Sequence, residues 1–290
     1  MKDIYKVAGI SKQAIWSYNR RKEANHQMSR QLVDVMNDFR KHHKEMGCRA
    51  MYYTPGQIHP VGRDKFEQIG FANGFKLKQK RNAQKTTWAQ RVEVYPNLIE
   101  GITINNINQV WQSDIFYLSV EGQHYYGVTI EDIYSRVLLS LHLSTSQSAR
   151  ETEIALKKAI KFRKGHNLSG CIFHSDRGGQ YFSNAHKILL KSYEMKISMC
   201  KMPQQNAYVE RIQGTLKNQY LYPQQPTVKN IFAIARKSIH YYNEERPHRS
   251  LSMKTPAAYE QEIQQLDEKQ RPKMQIYQAS SKLSTKHERY

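Results

Sequence analysis

Acidic side chains are scarce in this chain: 25 Asp and Glu stand against 45 Lys and Arg in 290 residues, a formal net charge of +20. The excess is not confined to a basic tail, because residues 1–100 already carry 19 basic and 9 acidic side chains. A basic surface of that extent implies a polyanionic partner, nucleic acid being the commonest. The plainer alternative is a ribosome-associated or merely soluble basic protein. Cysteine is also rare. Cys48, Cys171 and Cys200 lie far apart with no CxxC spacing, which argues against a disulfide scaffold or a cysteine zinc site and for a reducing compartment. No apolar run approaches the ~18 residues of a membrane span, and mean hydropathy is −0.77. Met1–Lys6 lacks the continuous apolar stretch of a signal peptide, so a cytoplasmic protein is expected.

Enough is present to build cores. Hydrophobic residues make up 39%, with 19 Tyr, 9 Phe and 3 Trp, which excludes wholesale disorder. The length suits one catalytic domain with smaller appendages. Residues 1–25 read as a helix-turn-helix, with Ser11 capping a helix from Lys12 to about Arg21. Ala14, Ile15 and Tyr18 would face inward, leaving Lys12, Gln13, Ser17 and Arg20 to meet base edges and phosphates. Residues 26–75 form a second helical DNA-binding module, with helices at Ser29–Lys44 and Gly62–Asn73. Residues 76–107 read as a basic linker whose Lys78, Lys80 and Arg81 could track a phosphate backbone.

At residue 108 the pattern changes. Strands are expected at Gln109–Val120, Gln123–Ile133 and Arg136–Leu143, then a helix over Ala149–Arg163, a buried strand Cys171–His174 and a helix near Ser183–Tyr193. A strand Lys196–Met199 and helices Asn206–Tyr220 and Val228–Tyr242 follow. This order describes an α/β domain with a mixed central sheet over residues 108–262. Residues 263–290 read as a polar tail that frays.

In so basic a chain, acids at the ends of apolar strands need a reason. Asp114 sits inside the first strand, Asp176 follows the strand ending at His174, and Glu210 lies one turn into a helix. Neighbouring strands are ~5 Å apart, so the two aspartates can meet. Three unpaired carboxylates ~4 Å apart would repel by roughly 4 kcal/mol per pair at an effective dielectric of ~20. Such a cluster is tolerable if hard cations compensate it, which points to Mg²⁺ or Mn²⁺. Two such ions can activate a water or a 3′-hydroxyl and steady the leaving oxygen of a phosphodiester. The plain alternative is three unrelated surface or salt-bridged acids.

The chain resembles the OrfB-type DDE transposases of bacterial insertion sequences. The motifs carrying the resemblance are Trp111-Gln-Ser-Asp114, His174-Ser-Asp176-Arg-Gly-Gly-Gln-Tyr181, Asn206-Ala-Tyr-Val-Glu210, Gly214-Thr-Leu-Lys217, Tyr242-Asn-Glu-Glu-Arg246-Pro-His248 and Thr255-Pro-Ala-Ala-Tyr259. They run in family order. The resemblance implies an RNase H-like, integrase-type mixed sheet flanked by helices, with N-terminal all-α helix-turn-helix modules. It implies that Asp114, Asp176 and Glu210 are catalytic and bind two Mg²⁺ ions, replaceable by Mn²⁺, Asp114 bridging both. It further implies cleavage at the terminal inverted repeats, 3′-hydroxyl strand transfer into target DNA, a homo-oligomer on DNA and fusion with or help from a small upstream helix-turn-helix protein. Around the pocket, Lys201, Gln205, Asn206 and Lys217 could contact the DNA end, though packing or capping explains Asn206 equally well. Arg246 and His248 would brace the last helix. One departure stands out: Glu210 lies 34 positions after Asp176, two fewer than is usual, the shortening falling around residues 201–205.

Two rivals remain. His174-Ser-Asp-Arg177 with Arg150 and Tyr208 imitates a tyrosine recombinase, which needs those residues on helices and no metal. A catalytically inactive DNA-binding regulator of the same fold would keep DNA binding without turnover.

Overall fold

The computed structural model describes residues 11–77, 95–200 and 203–276, with the side chains of 203 and 204 left aside. Compact units lie on either side of the undescribed stretch 78–94.

The first unit is helical. Helix α1 (Lys12–His42) begins at Ser11, whose hydroxyl accepts from Ala14 N at 3.1 Å, as the capping pattern requires. The expected pair of helices, ending near Arg21 and restarting at Ser29, is instead this single helix of 31 residues. The intervening Lys22–Met28 contains no glycine or proline to break it, and Ser29 bonds back to Asn25 O within the helix instead of capping a new one. Its second half buries Leu32 and Met36 against helices α2 (Cys48–Tyr52) and α3 (Arg63–Ala72), around Met46, Met51, Phe66 and Ile69. Its first half does not pack as expected, since Ala14 and Tyr18 are exposed and Trp16 is 60% exposed.

The second unit is built on a five-stranded sheet. Its strands are β2 (Val110–Val120), β3 (Gln123–Asp132), β4 (Leu138–Ser144), β5 (Ile172–Ser175) and β6 (Lys196–Met199), ordered β4-β3-β2-β5-β6. A short strand β1 (Thr103–Ile104) precedes them. β2, β3 and β4 are antiparallel neighbours, while β5 runs parallel to β2 and β6 parallel to β5. Alternation along β2 sends Trp111 and Ile115 to one face and Phe116, Leu118 and Val120 to the other. Helices α4 (Ala149–Phe162) and α5 (Asn184–Ser192) cover the first face through Leu156, Ile160 and Leu190. Helices α6 (Ala207–Thr215) and α7 (Ile231–His240) cover the second through Val209, Ile212 and Ile231. This is the expected mixed sheet flanked by helices. Phe116 crosses to its β3 partner Gly127, where a Cβ would collide with the ring.

Several element ends differ from expectation. The third strand starts at Leu138 because Arg136 takes a left-handed turn at φ 63°. The helix bearing Glu210 is α-helical only to Thr215 and continues as a π-turn over Leu216–Leu221, and α7 starts at Ile231 because Thr227–Asn230 forms a turn instead of the helix expected from Val228. Past helix α8 (Pro256–Gln265), the expected polar tail does not begin at 263. Ile263 and Ile276 are buried, and β7 (Met274–Gln275) pairs with β1. α8 is tied down by Glu260, which bonds the buried Arg163 at the end of α4, where Arg163 also meets Asp132 at 3.3 Å.

Candidate active site

Strand pairing creates the site. The last register pair of the parallel strands β2 and β5 is Ser113 with Ser175, so Asp114, inside β2, and Asp176, just past the end of β5, each follow that pair by one residue. Antiparallel β3 sets Thr129 opposite Asp114, and the Thr129 hydroxyl donates to the Asp114 carbonyl at 3.2 Å. Asp176 is held by the backbone N–H of Gly178, 3.0 Å from its Oδ1. A Cβ on Gly178 would come within 2.9 Å of that oxygen, so a larger residue there would push the Asp176 carboxylate aside. Glu210 stands exposed in the first turn of α6.

The electrostatics bind the three together. Burial, then the charges of Asp176 and Glu210, push the Asp114 carboxyl up to about 7, against a hydrogen bond from Gln213. Asp176 is likewise raised by burial, opposed by Gly178 N–H. The Cys200 thiol is pushed up to about 11 by burial and by both aspartates. Lys217 is half-buried, its ammonium 5.7 Å from the Phe116 ring and within the field of Asp114. Among the described residues none of the three carboxylates is salt-bridged, and no group of three or more His, Cys, Asp or Glu side chains is gathered closely enough to hold a metal ion. The carboxylates thus share one field without closing into a single cage.

Other expected site residues scatter. Asn206 is buried, with its amide on the Ser113 carbonyl at 3.5 Å, so it has no face for DNA here: closing the start of α6 onto β2 uses it. The Gln205 carbonyl accepts from Gln112. Lys12, Gln13 and Arg20 are exposed and Ser17 half-exposed on α1 in the first unit, with Arg20 5.3 Å over the Trp16 ring. Lys78, Lys80, Arg81 and Lys201 lie outside the described residues. Arg246 donates to Gln219 Oε1 at 3.0 Å and sits beside His248. His174 is wholly buried in β5, bonded through Nδ1 to Ser198, and burial pushes it down to about 4. With Arg177 on the Cys200 carbonyl and Tyr208 under Arg136 at 4.2 Å, the recombinase-like residues do not converge.

Sequence reasoning passed over four neighbours: Gln112, Tyr181, Cys200 and Gln213. Tyr181 bonds Ser113 at 2.9 Å and feels both aspartates. Gln213 donates to Thr129 Oγ1 at 3.1 Å as well as to Asp114. A signal existed for the two glutamines: each is a polar residue at an inward-facing position.

Two models described as integrase core domain match the chain, over residues 105–203 and 192–256. The chain belongs to the OrfB-type insertion-sequence transposases. This family is one of DNA-binding polynucleotidyl transferases, and its integrase core coincides with the sheet and helices around Asp114. The transposase chain is 28% identical over 212 residues to an uncharacterized 31 kDa protein of insertion element IS600 from Shigella sonnei, covering 71% of this chain and 77% of that one. It is 28% identical over 168 residues to the putative transposase InsK of IS150 from Escherichia coli, covering 57% and 59%. It is 30% identical over 128 residues to the transposase InsF of IS3A from the same organism, covering 43% and 44%. Among solved structures, the HTLV-2 integrase catalytic core domain in complex with magnesium, in its dimeric form, matches 53% of this chain and 97% of that one at 21% identity and a TM-score of 0.44. No helix among the transposase's described residues is long and apolar enough to cross a membrane.

Proposed function

We propose that this chain cuts DNA at the ends of its own element and joins the freed 3′-hydroxyl to target DNA, with Asp114, Asp176 and Glu210 as the catalytic carboxylates. The observation that supports this most directly is the placement of Asp114 and Asp176 beyond the Ser113–Ser175 pair, with Glu210 inside the same field. A carboxyl held near 7 by burial and then by two like charges is relieved by a bound cation, and its hard oxygens fit Mg²⁺ or Mn²⁺. Asp114 and Asp176 would hold the first ion, with Asp114 and Glu210 the donors for a second. Divalent ions bound there supply Lewis-acid activation of a water or 3′-hydroxyl and charge stabilisation at the phosphodiester.

The chain's own groups do the rest. Gln213 orients the Asp114 carboxylate and Gly178 N–H orients that of Asp176. Lys217, beside Asp114, meets a phosphate oxygen. Domain roles follow the same reading: residues 1–75, through which α1 runs unbroken across the 25/26 boundary, bind the terminal repeats with Lys12, Gln13, Ser17 and Arg20 among the contacts, and residues 76–107 track the backbone. Residues 108–262 carry the chemistry, and two or more copies bridge two ends. A small upstream helix-turn-helix protein would act as fusion or helper, and the bacterial cytoplasm would be the compartment.

The test is a labelled fragment carrying one element end, incubated with wild type or Glu210→Gln in Mg²⁺ or EDTA. Cleavage by wild type in Mg²⁺ alone is expected. Equal nicking by both proteins, or by wild type in EDTA, defeats the reading. Binding without cleavage by wild type would instead favour a regulator.

A further inference from the structure

We infer that Gln112 is a positioning residue that caps the helix bearing Glu210 from the strand bearing Asp114 and thereby sets the spacing of those two carboxylates. The inference rests on the catalytic assignment above. A helix leaves its first N–H groups without partners, and the residue before it normally supplies a side-chain oxygen to the second or third of them. At α6 that residue is Asn206, which makes no capping bond and turns its amide to the Ser113 carbonyl. The cap comes from elsewhere. Val209 N, third in the helix, donates to Gln112 Oε1 at 3.0 Å, and Gln112 Nε2 donates to the Gln205 carbonyl at 2.9 Å. Gln112 is wholly buried and sits two residues before Asp114 on β2.

One carboxamide therefore joins the two elements. Its acceptor and its donor face groups of opposite kind, so only an amide of this length satisfies both. Val209 directly precedes Glu210, so fixing its N–H relative to β2 fixes where Glu210 leaves the helix relative to Asp114. Gln213, one turn later, repeats the tie through Thr129 and Asp114. A helix capped by the sheet takes its register from the sheet and not from the loop before it.

The test compares wild type with Gln112→Met, which keeps the length and loses both bonds, and Gln112→Asn, which keeps the amide but falls one methylene short. Ile263→Val, a core truncation in α8, controls for lost stability. Two readouts are taken on the full chain: hydrogen exchange in the 207–210 segment, and single-turnover cleavage of an element end alongside its binding. Both Gln112 variants should exchange at least tenfold faster in that segment and cleave about 10–100-fold more slowly, the range typical of groups supporting a ligand. End binding should be unchanged. Cleavage at the wild-type rate, or a loss matched by Ile263→Val, or unaltered exchange, overturns the inference. A wild type that cuts nothing defeats the catalytic assignment itself, and this inference with it, in the first lane, before any variant is compared.

Discussion

Asp114 and Asp176 lie one residue past the Ser113–Ser175 pair that joins the neighbouring parallel strands β2 and β5, and burial together with the charge of Asp176 holds the Asp114 carboxyl near 7. Two acids so placed repel in the free protein, and a proton or a bound cation relieves them. Asp114→Asn keeps the shape and removes the charge. Its cleavage of an element end should fall by more than the 10–100-fold typical of an outer-shell partner, while end binding in a gel-shift assay persists. Full retention of cleavage would remove Asp114 from the chemistry.

Glu131 offers a pH test away from the proposed ligands. It is buried beside Arg136, which stands 3.8 Å away, and its Oε2 has no hydrogen-bond partner among the described residues. Burial raises it to about 7, Arg136 opposing and Asp132 adding to the rise. An acid raised on folding favours the native state below its ordinary value of 4.5, and that contribution is lost as pH climbs through about 7. Glu131→Gln should therefore match wild type in urea unfolding near pH 4.5 and exceed it by about 1–3 kcal/mol at pH 8.5. A wild type more stable than the variant at pH 8.5 would contradict the burial argument.

Much of this was readable from residue order because strand alternation and an out-of-place acid are local signals. Asp114 among Val, Trp, Ile and Phe, and Asp176 at the foot of an apolar run, announce themselves without neighbours. What escaped depends on distance. Gln112 is visible as a polar residue in a buried strand, but its partners Gln205 and Val209 lie beyond six intervening strands and helices. β7 has two residues and therefore no period to read. Ser29 imitates a helix cap inside α1, whereas Lys22–Met28 holds nothing that breaks a helix.

Arg163, Asp132 and Glu260 come from three elements and meet inside the fold. Asp132 is raised to about 6 by burial despite Arg163, so the guanidinium is what makes two buried carboxylates affordable. Removing it leaves them facing each other unpaired. Arg163→Ala should cost about 3–5 kcal/mol in chemical denaturation, with α8 losing its anchor first and exchanging faster than the sheet. Arg163→Lys should recover only part, since an ammonium cannot serve Glu260 with two parallel bonds and Asp132 with another.

The exposed first half of α1 makes a prediction about salt. Lys12 and Arg20 stand in solvent on a helix whose packing into the core begins near Met28, so core formation does not explain their placement. If they hold phosphates, each releases a counterion on binding, and the log–log dependence of end affinity on salt steepens by about 0.9 per contact. Lys12→Ala with Arg20→Ala should then flatten the slope by roughly 2 and weaken specific and random DNA alike. Gln13→Ala should leave the slope unchanged, because an amide displaces no ion. Were Gln13 reading a base, its loss would instead narrow the gap between element-end and random DNA, by about 1–3 kcal/mol for a good bidentate contact. A double variant with an unaltered slope would show that α1 meets something other than a phosphate backbone.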